Sequence, residues 1–223
     1  MIITDYHCHV LPELDDGAEN LQTALLMIQK MKFQGVRKII ATPHFYAHEE
    51  ISVKEYLDKR QKSYDMLMNA NPAVENIILG SEVAIESGLS EIEDVEKLAI
   101  QNTDYILLEL PFGNYSRWIT DEIYNISCRY KLKVIIAHIE RYKDIYSKSQ
   151  MAEILDMGVV LQVNNNAFKT FGSRQFVRKL IKEDYEVIFG SDCHNMTSRS
   201  PDWDIMRKYI KPEILKKSNN LIK

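Results

Sequence analysis

The sequence predicts an α/β protein built as a distorted (β/α)7 TIM-like barrel, and three observations lead there. Seven short runs rich in β-formers recur at residues 2–6, 36–42, 76–81, 105–108, 133–137, 159–163 and 186–190. They are almost continuously apolar, as strands covered on both faces are. The segments between them carry a helical period, and strict strand–helix alternation makes the sheet parallel. In a chain of 223 residues such a sheet closes most economically into a barrel, although alternation alone also fits an open doubly wound sheet.

The elements follow in order. The first run leads directly into Asp5-Tyr6-His7-Cys8-His9, and the segment after Ala18 places Leu21, Ala24, Leu25, Ile28 and Met31 on one helical face. The second run ends at Thr42-Pro43-His44. Beyond it, Ser52-x-x-Glu55 reads as a capping box opening a helix whose apolar face is Val53, Tyr56, Leu57, Tyr64, Leu67 and Met68. The third run ends at Gly80-Ser81-Glu82, and Ser90-x-x-Glu93 predicts the next helix start by the same signal. The fourth ends at Leu108-Glu109, the fifth at Ala137-His138 and the seventh at Ser191-Asp192-Cys193-His194. The polar, basic stretch 211–223 is expected to fray.

Bulk properties narrow the class. A hydrophobic share of 45% is enough for a substantial core, and no linker or repeat divides residues 1–223, so one domain is expected. The net charge of -4 comes with no basic stripe, which argues against a nucleic-acid partner. Three cysteines without a CxxC pair suit a reducing, cytoplasmic setting, and no apolar run approaches the ~20 residues that cross a bilayer. A soluble protein without direct membrane insertion is expected.

Chemistry is concentrated where the strands end. His7 and His9 alternate, so both imidazoles point to one side. With His44, Glu82, Glu109, His138, Asp192 and His194 they form a set of hard and borderline ligands at six of seven strand ends, where parallel barrels carry their sites. A lone strand-end histidine is usually a satisfied structural residue, but eight such residues together point to a metal site. His48, beside Glu49 and Glu50, reads instead as a solvated surface group. Asp15-Asp16-Gly17 reads equally well as a further ligand or as a turn and helix cap.

The order His7-x-His9, Asp15-Asp16-Gly17, His44, Glu82, Glu109, His138 and Asp192-x-His194 resembles the PHP (polymerase and histidinol phosphatase) superfamily. Three stretches bring the likeness nearer: His7 to Pro12 leading to Asp15-Asp16-Gly17-Ala18, Ala137-His138-Ile139-Glu140-Arg141-Tyr142, and Ser191 to Asn195. With these the chain resembles the manganese-dependent protein-tyrosine phosphatases of capsular and exopolysaccharide operons, the CpsB/CapC type. The resemblance implies three divalent ions, with manganese favoured over iron or zinc. It places His7, His9, Glu82 and Asp192 around the first ion and has Glu82 bridge to a second held by Glu109 and His138. Asp16, His44 and His194 would hold the third.

Four carboxylates against three divalent ions leave roughly +2, a pocket suited to a phosphate dianion. Arg141 and Arg199 are the catalytic candidates, each a forked donor for the non-bridging oxygens. Hydrolysis by a metal-held hydroxide is the expected mechanism, helped by a tyrosine leaving group whose pKa is ~10. The expected partner is the phosphotyrosine segment of a bacterial polysaccharide-assembly tyrosine autokinase. A small-molecule phosphatase acting on histidinol phosphate, and a non-catalytic module stabilised by metal, are the competing readings.

One motif points elsewhere. Cys193 through Arg199-Ser200 has the Cys-x5-Arg-Ser spacing of thiol phosphatases, yet none of the five intervening residues is glycine, and Asp192 and His194 turn Cys193 away from the site. The metal mechanism is therefore expected to hold and the thiol mechanism to fail.

Overall fold

The computed structural model describes residues 2–74 and 76–221. Its strands are β1 (Ile3–Cys8), β2 (Val36–Ala41), β3 (His44–Phe45), β4 (Ile77–Leu79), β5 (Glu82–Ala84), β6 (Tyr105–Glu109), β7 (Lys133–Ile136), β8 (Val160–Asn164) and β9 (Val187–Gly190). All pair in parallel, as β1-β2-β4 and as β3-β5-β6-β7-β8-β9. The nine segments fill seven strand positions, because β2 and β3 are one run broken at Thr42-Pro43, and β4 and β5 one run broken at Gly80-Ser81. Proline has no N–H to give a ladder, so it marks the first break. Both sheets continue across it, with the Glu82 N–H donating to Pro43 O at 3.0 Å.

The seam between β1 and β9 is stitched just beyond the last strand. Cys8 and Cys193 form a parallel bridge, the His9 N–H donates to Cys193 O at 3.0 Å, and the Asp192 N–H donates to His7 O at 2.7 Å. Through that bridge the two parallel sheets adjoin in the distorted, TIM-like (β/α)7 arrangement that the sequence predicts, with no continuous ladder between β1 and β9 among the described residues.

The helices are α1 (Leu21–Phe33), α2 (Val53–Asn69), α3 (Trp118–Tyr130), α4 (Lys148–Leu155), α5 (Phe171–Lys182), α6 (Trp203–Arg207) and α7 (Pro212–Asn219). Their starts are set by side-chain caps: Asn20 accepts from the Thr23 N–H, Ser52 from Glu55, Thr170 from Ser173, and Ser147 with Gln150 completes a reciprocal capping box. The expected apolar face of α2 packs on the core, and Arg60 and Ser63 are buried in it as well. Arg60 Nη1 donates to Gly80 O and Ser81 Oγ, each at 2.7 Å, and Ser63 Oγ donates to Pro12 O at 2.6 Å.

Two expectations are corrected. No α-helix starts at Ser90: the segment between β5 and β6 holds only short 3-10 turns, Leu89–Glu91 and Val95–Leu98. Left-handed backbone at Gly88 (φ 87°) and Asp94 (φ 64°) interrupts any longer helix. Ser90 is buried and its N–H donates to Glu122 Oε2, so it caps nothing. The C-terminal stretch also does not fray over its described part, because α7 docks on β1. Thr4 N–H donates to Asn219 Oδ1 at 3.0 Å, and Tyr6 Oη donates to Ser218 O at 3.1 Å. Residues 222 and 223 of that stretch lie outside the described residues.

Period-two alternation divides the apolar residues into two cores. Ile39, Ile106, Leu108, Val134, Ile136, Leu161 and Phe189 face the helices, while Tyr6, Ile40, Leu107, Ile135, Val160 and Ile188 pack inside the barrel. Along the inner face the chemistry changes toward the carboxyl ends: Tyr105 and Leu107 are followed by Glu109, and Val160 by Gln162 and Asn164. The inner core is therefore a closed apolar floor, and the polar groups stand above it.

Asp5 ties this floor to the seam. Fully buried, it accepts N–H bonds from Ser191 (2.8 Å) and His7 (3.2 Å) and the Trp203 Nε1–H (3.3 Å), and burial still pushes its carboxyl up to about 6. Asp5→Ala leaves three buried donors without acceptors and is expected to destabilise the protein by about 3 kcal/mol. Urea unfolding in the presence of chelator reads this directly, and a loss below about 1 kcal/mol would show that water takes over the donors.

Candidate metal centre

Each strand delivers its side chains by position. β1 contributes His7 and His9, whose Nε2 atoms stand 3.1 Å apart. β3 and β5 are in register with His44 opposite Glu82, so the break in each run places both beside the first pair. Glu109 closes β6, and His138 follows β7. Asp192 and His194 follow β9, and the loop after β1 brings Asp16 over the mouth. All nine residues expected as ligands meet at this one end of the barrel.

The fit to cations is visible in contacts that are short yet are not hydrogen bonds. Glu82 Oε2 lies 3.0 Å from His7 Nε2 and 3.2 Å from both His9 Nε2 and His44 Nδ1. Nevertheless Glu82 Oε2 and His44 Nδ1 are buried without a hydrogen-bond partner, as is His194 Nε2 at 3.2 Å from Asp16 Oδ1. Lone pairs that approach this closely without donor geometry converge on common points, which is what ligands of a shared ion do. Three groups can hold an ion: His7, His9, Glu82 and Asp192; His9, Asp16, His44 and His194; and His44, Glu82 and Glu109. His138 Nε2 joins the last, 2.8 Å from Glu82 Oε1 and 3.2 Å from Glu109 Oε1. A hard and borderline donor set without thiolate suits manganese, iron or zinc.

The electrostatics agree. Burial works against a charge on His138, yet Glu109 and Glu82 lift its imidazole to about 9. For His9 the same opposition is overcome by Asp15 and Glu82. Burial opposes charge on Asp192 as well, but His7 and Arg141 hold it well below the usual carboxylate range; the adjacent imidazoles of His194 and His44 do so for Asp16. The pocket thus stabilises positive charge at its centre, and imidazoles must be neutral to ligate, so protons and metal ions compete for it.

Asp15, singled out in the sequence only as part of Asp15-Asp16-Gly17, and two residues that sequence reasoning passed over, Gln162 and Asn164, hold the ligands in place. Asp15 Oδ2 accepts from His9 Nδ1 at 2.7 Å and from the His44 N–H at 2.9 Å, while Oδ1 accepts from the Gly17 N–H. Gln162 Oε1 stands 2.9 Å from His7 Nδ1 and accepts the His138 N–H at 2.6 Å, and Asn164 Nδ2 donates to Asp192 Oδ2 at 2.8 Å. Such partners fix the tautomer and orientation of a ligating imidazole. For Gln162 and Asn164 the signal was present: they share the inward parity of Val160 in an otherwise apolar strand. Glycine is required where backbone meets ligand, because a Cβ on Gly190 would lie 2.6 Å from His7 Cβ. His138 (φ 29°) and Asp192 (φ 50°) occupy left-handed backbone that non-glycine residues rarely adopt.

Arg141 and Arg199 both reach Asp192, Arg141 through Nη2 to Oδ2 and Arg199 through Nη2 to Oδ1 at 2.8 Å. Both line a cavity of about 400 Å³ together with Asp16, His44, Tyr46, Glu109 and Phe112. His48 lies outside it, exposed and paired with Glu86 at 2.9 Å. The thiol-phosphatase spacing is absorbed by the fold. Cys193 is fully buried, and the N–H groups of His194, Asn195, Thr197 and Arg199 all donate within their own loop, to Arg199 O or Asn195 Oδ1. No amide of that set is free to cradle a phosphate.

Known proteins agree with this geometry. The family described as capsular polysaccharide synthesis, CpsB/CapC, matches residues 3–222. The tyrosine-protein phosphatase YwqE of Bacillus subtilis is 30% identical over 207 residues, covering 88% of this chain and 79% of the relative. The tyrosine-protein phosphatase CpsB of Streptococcus pneumoniae is 27% identical over 214 residues, covering 88% and 85%. A solved structure from work on YwqE of B. subtilis and CpsB of S. pneumoniae, described as metal-dependent tyrosine phosphatases, superposes with TM-score 0.77 at 25% identity, over 98% of this chain and 91% of that one. An organophosphorus hydrolase from Deinococcus radiodurans, at 12% identity and TM-score 0.53, shares the fold alone. The match over nearly its full length shows that the chain belongs to the CpsB/CapC family.

Proposed function

We propose that the protein is a metal-dependent protein-tyrosine phosphatase, a phosphoric monoester hydrolase acting on the phosphotyrosine segment of a bacterial polysaccharide-assembly tyrosine kinase. The observation that carries this is the convergence of nine candidate ligands at one end of the barrel, three of which, Asp16, His44 and Glu109, line a cavity together with Arg141 and Arg199. Membership in a capsular polysaccharide family and kinship with named tyrosine phosphatases support the substrate class. Three free cysteines, and the lack among the described residues of any helix long and apolar enough to cross a membrane, are compatible with a cytoplasmic site of action.

The ligand assignment is His7, His9, Glu82 and Asp192 for one ion, Glu82, Glu109 and His138 for a second, and Asp16, His44 and His194 for a third, with manganese preferred. Ions held there supply Lewis acidity to the phosphate and acidify water. The chain's own residues do the rest. Arg141 and Arg199 turn their forks from Asp192 to the non-bridging oxygens of the phosphate, where charge accumulates as the ester oxygen departs. Asp15 and Gln162 keep the His9 and His7 rings aimed inward, and Asn164 keeps Asp192 in place. The apolar floor beneath them excludes bulk water and strengthens each of these interactions.

Three measurements test the reading. EDTA should abolish hydrolysis of a phosphotyrosyl peptide and added manganese should restore it, while Cys193→Ser keeps most of the activity; the opposite pattern would sink the metal mechanism. Replacing Arg141 or Arg199 with alanine should lower kcat/KM roughly 100-fold while metal content is retained. Asp15→Ala leaves every proposed ligand present but should weaken metal affinity about 10–100-fold in chelator competition. A strong preference for histidinol phosphate over the peptide would instead assign the same centre to a small-molecule phosphatase.

A further inference from the structure

The cavity has a feature that the metal chemistry does not use: two aromatic rings, each laid against a ligand histidine. Phe112 stacks on His138 with ring centroids 5.6 Å apart and planes at 23°, and on Tyr142 at 5.2 Å and 25°. Tyr46 stacks on His44 at 5.1 Å and 28°. Both rings line the same cavity as the arginines. Phe112 is 53% exposed, an unusual state for a large apolar side chain that is packed against neighbours on one face.

Phe112 is also held firmly. Its segment follows β6, and the carbonyls on its N-terminal side are anchored, Leu110 O by the Tyr142 hydroxyl at 2.9 Å and Pro111 O by the Tyr146 hydroxyl at 2.6 Å. Pro111 restricts the backbone as well. With Ala84, Ile85, Leu110 and Pro111 it gives the cavity an apolar lining alongside the charged groups of Asp16, Glu109 and the arginines. A phosphate monoester seated over the ligand groups carries its ester oxygen one bond from the phosphorus, which puts the group beside the leaving oxygen within reach of this apolar lining. A flat ring finds a π-face there, and an alkyl chain does not.

We infer that Phe112, aided by Tyr46, forms an aromatic wall that holds the phenyl ring of the substrate and makes Phe112 the residue that selects aryl over alkyl phosphates. The inference rests on the phosphatase reading above and deepens it. Phe112 touches the ring, not the reacting phosphorus, so its effect is on recognition of the ester group.

The experiment separates the two. Calorimetry on the manganese-loaded protein gives the Kd of phenylphosphonate and of methylphosphonate, two non-hydrolysable probes that differ only in the group meeting the wall. In Phe112→Leu the preference for the phenyl probe should fall about three- to tenfold, the size of one aromatic pair. Phe112→Tyr should keep the preference, and metal content should match the unsubstituted protein. An equal loss of both probes would show that Phe112 merely supports His138, and an unchanged preference would show that the ring binds elsewhere; either overturns the inference. Failure of the unsubstituted protein to hydrolyse a phosphotyrosyl peptide is read in a separate assay and overturns the phosphatase reading itself.

Discussion

Glu82 is the residue on which the rest of the site depends. It is buried, and its two oxygens meet four imidazoles: His7, His9 and His44 around Oε2, and His138 at Oε1. Its charge cannot be left bare in so dry a place, since an unpaired buried carboxylate costs several kcal/mol. Protonated histidines balance it when nothing else does, which is why His9 and His138 are held toward their charged forms. Divalent ions balance it better, because they neutralise the carboxylates without requiring any imidazole to carry a proton. The whole arrangement of ligands follows from placing this one carboxylate between the strands that carry its partners.

That placement has a structural cost, visible at particular residues. Two strand positions are broken, at Pro43 and at Gly80-Ser81, so that His44 and Glu82 can lie in register above the break. His138 and Asp192 adopt left-handed backbone of the kind that costs of order 1–3 kcal/mol, and each is secured there by a specific bond: the His138 N–H to Gln162, the Asp192 N–H to His7 O. Fixed geometry of this sort spares the site from reorganising when phosphate arrives. It also explains why polar residues that touch no substrate, such as Asp15 and Gln162, are buried beside the ligands.

Much of this was legible in the sequence, for reasons that also explain what was not. Strands buried on both faces write themselves as apolar runs, and histidines and carboxylates at their ends stand out against that background, so the seven strand positions and eight of the nine candidate ligands were read by pattern, whereas Asp16 came only with the family resemblance. The helix expected at Ser90 was not there, because a capping signal is local, whereas the left-handed turns at Gly88 and Asp94 and the bond from the Ser90 N–H to Glu122 are imposed by the surrounding fold. Fraying was expected at the C-terminus because composition cannot show that Asn219 finds the edge of β1. Gln162 and Asn164 were hidden for a different reason: they sit inside a strand, and only knowledge of which parity faces inward gives them a role. Phe112 was equally silent, since an aromatic residue after a strand is ordinarily core.

The seam of the barrel connects these points. β1 and β9 are joined by the bridge between Cys8 and Cys193 and by bonds from the His9 and Asp192 N–H groups, so the residues that close the ring are the ligands or their immediate neighbours. Asp5 reinforces the same seam from below through Ser191 and His7. The same contacts therefore join the two sheets and assemble the first ligand group: the bonds that bring Asp192 beside His7 and His9 are those that tie β9 to β1. Cys193 has its place in this scheme as a small side chain buried in the outer core, and the Arg199 that follows it at phosphatase-like spacing is held to Asp192. The loop that buries the cysteine at the seam is the loop that turns the arginine to Asp192, and that is why a sequence with thiol-phosphatase spacing over eight residues folds around a cluster of histidines and carboxylates instead.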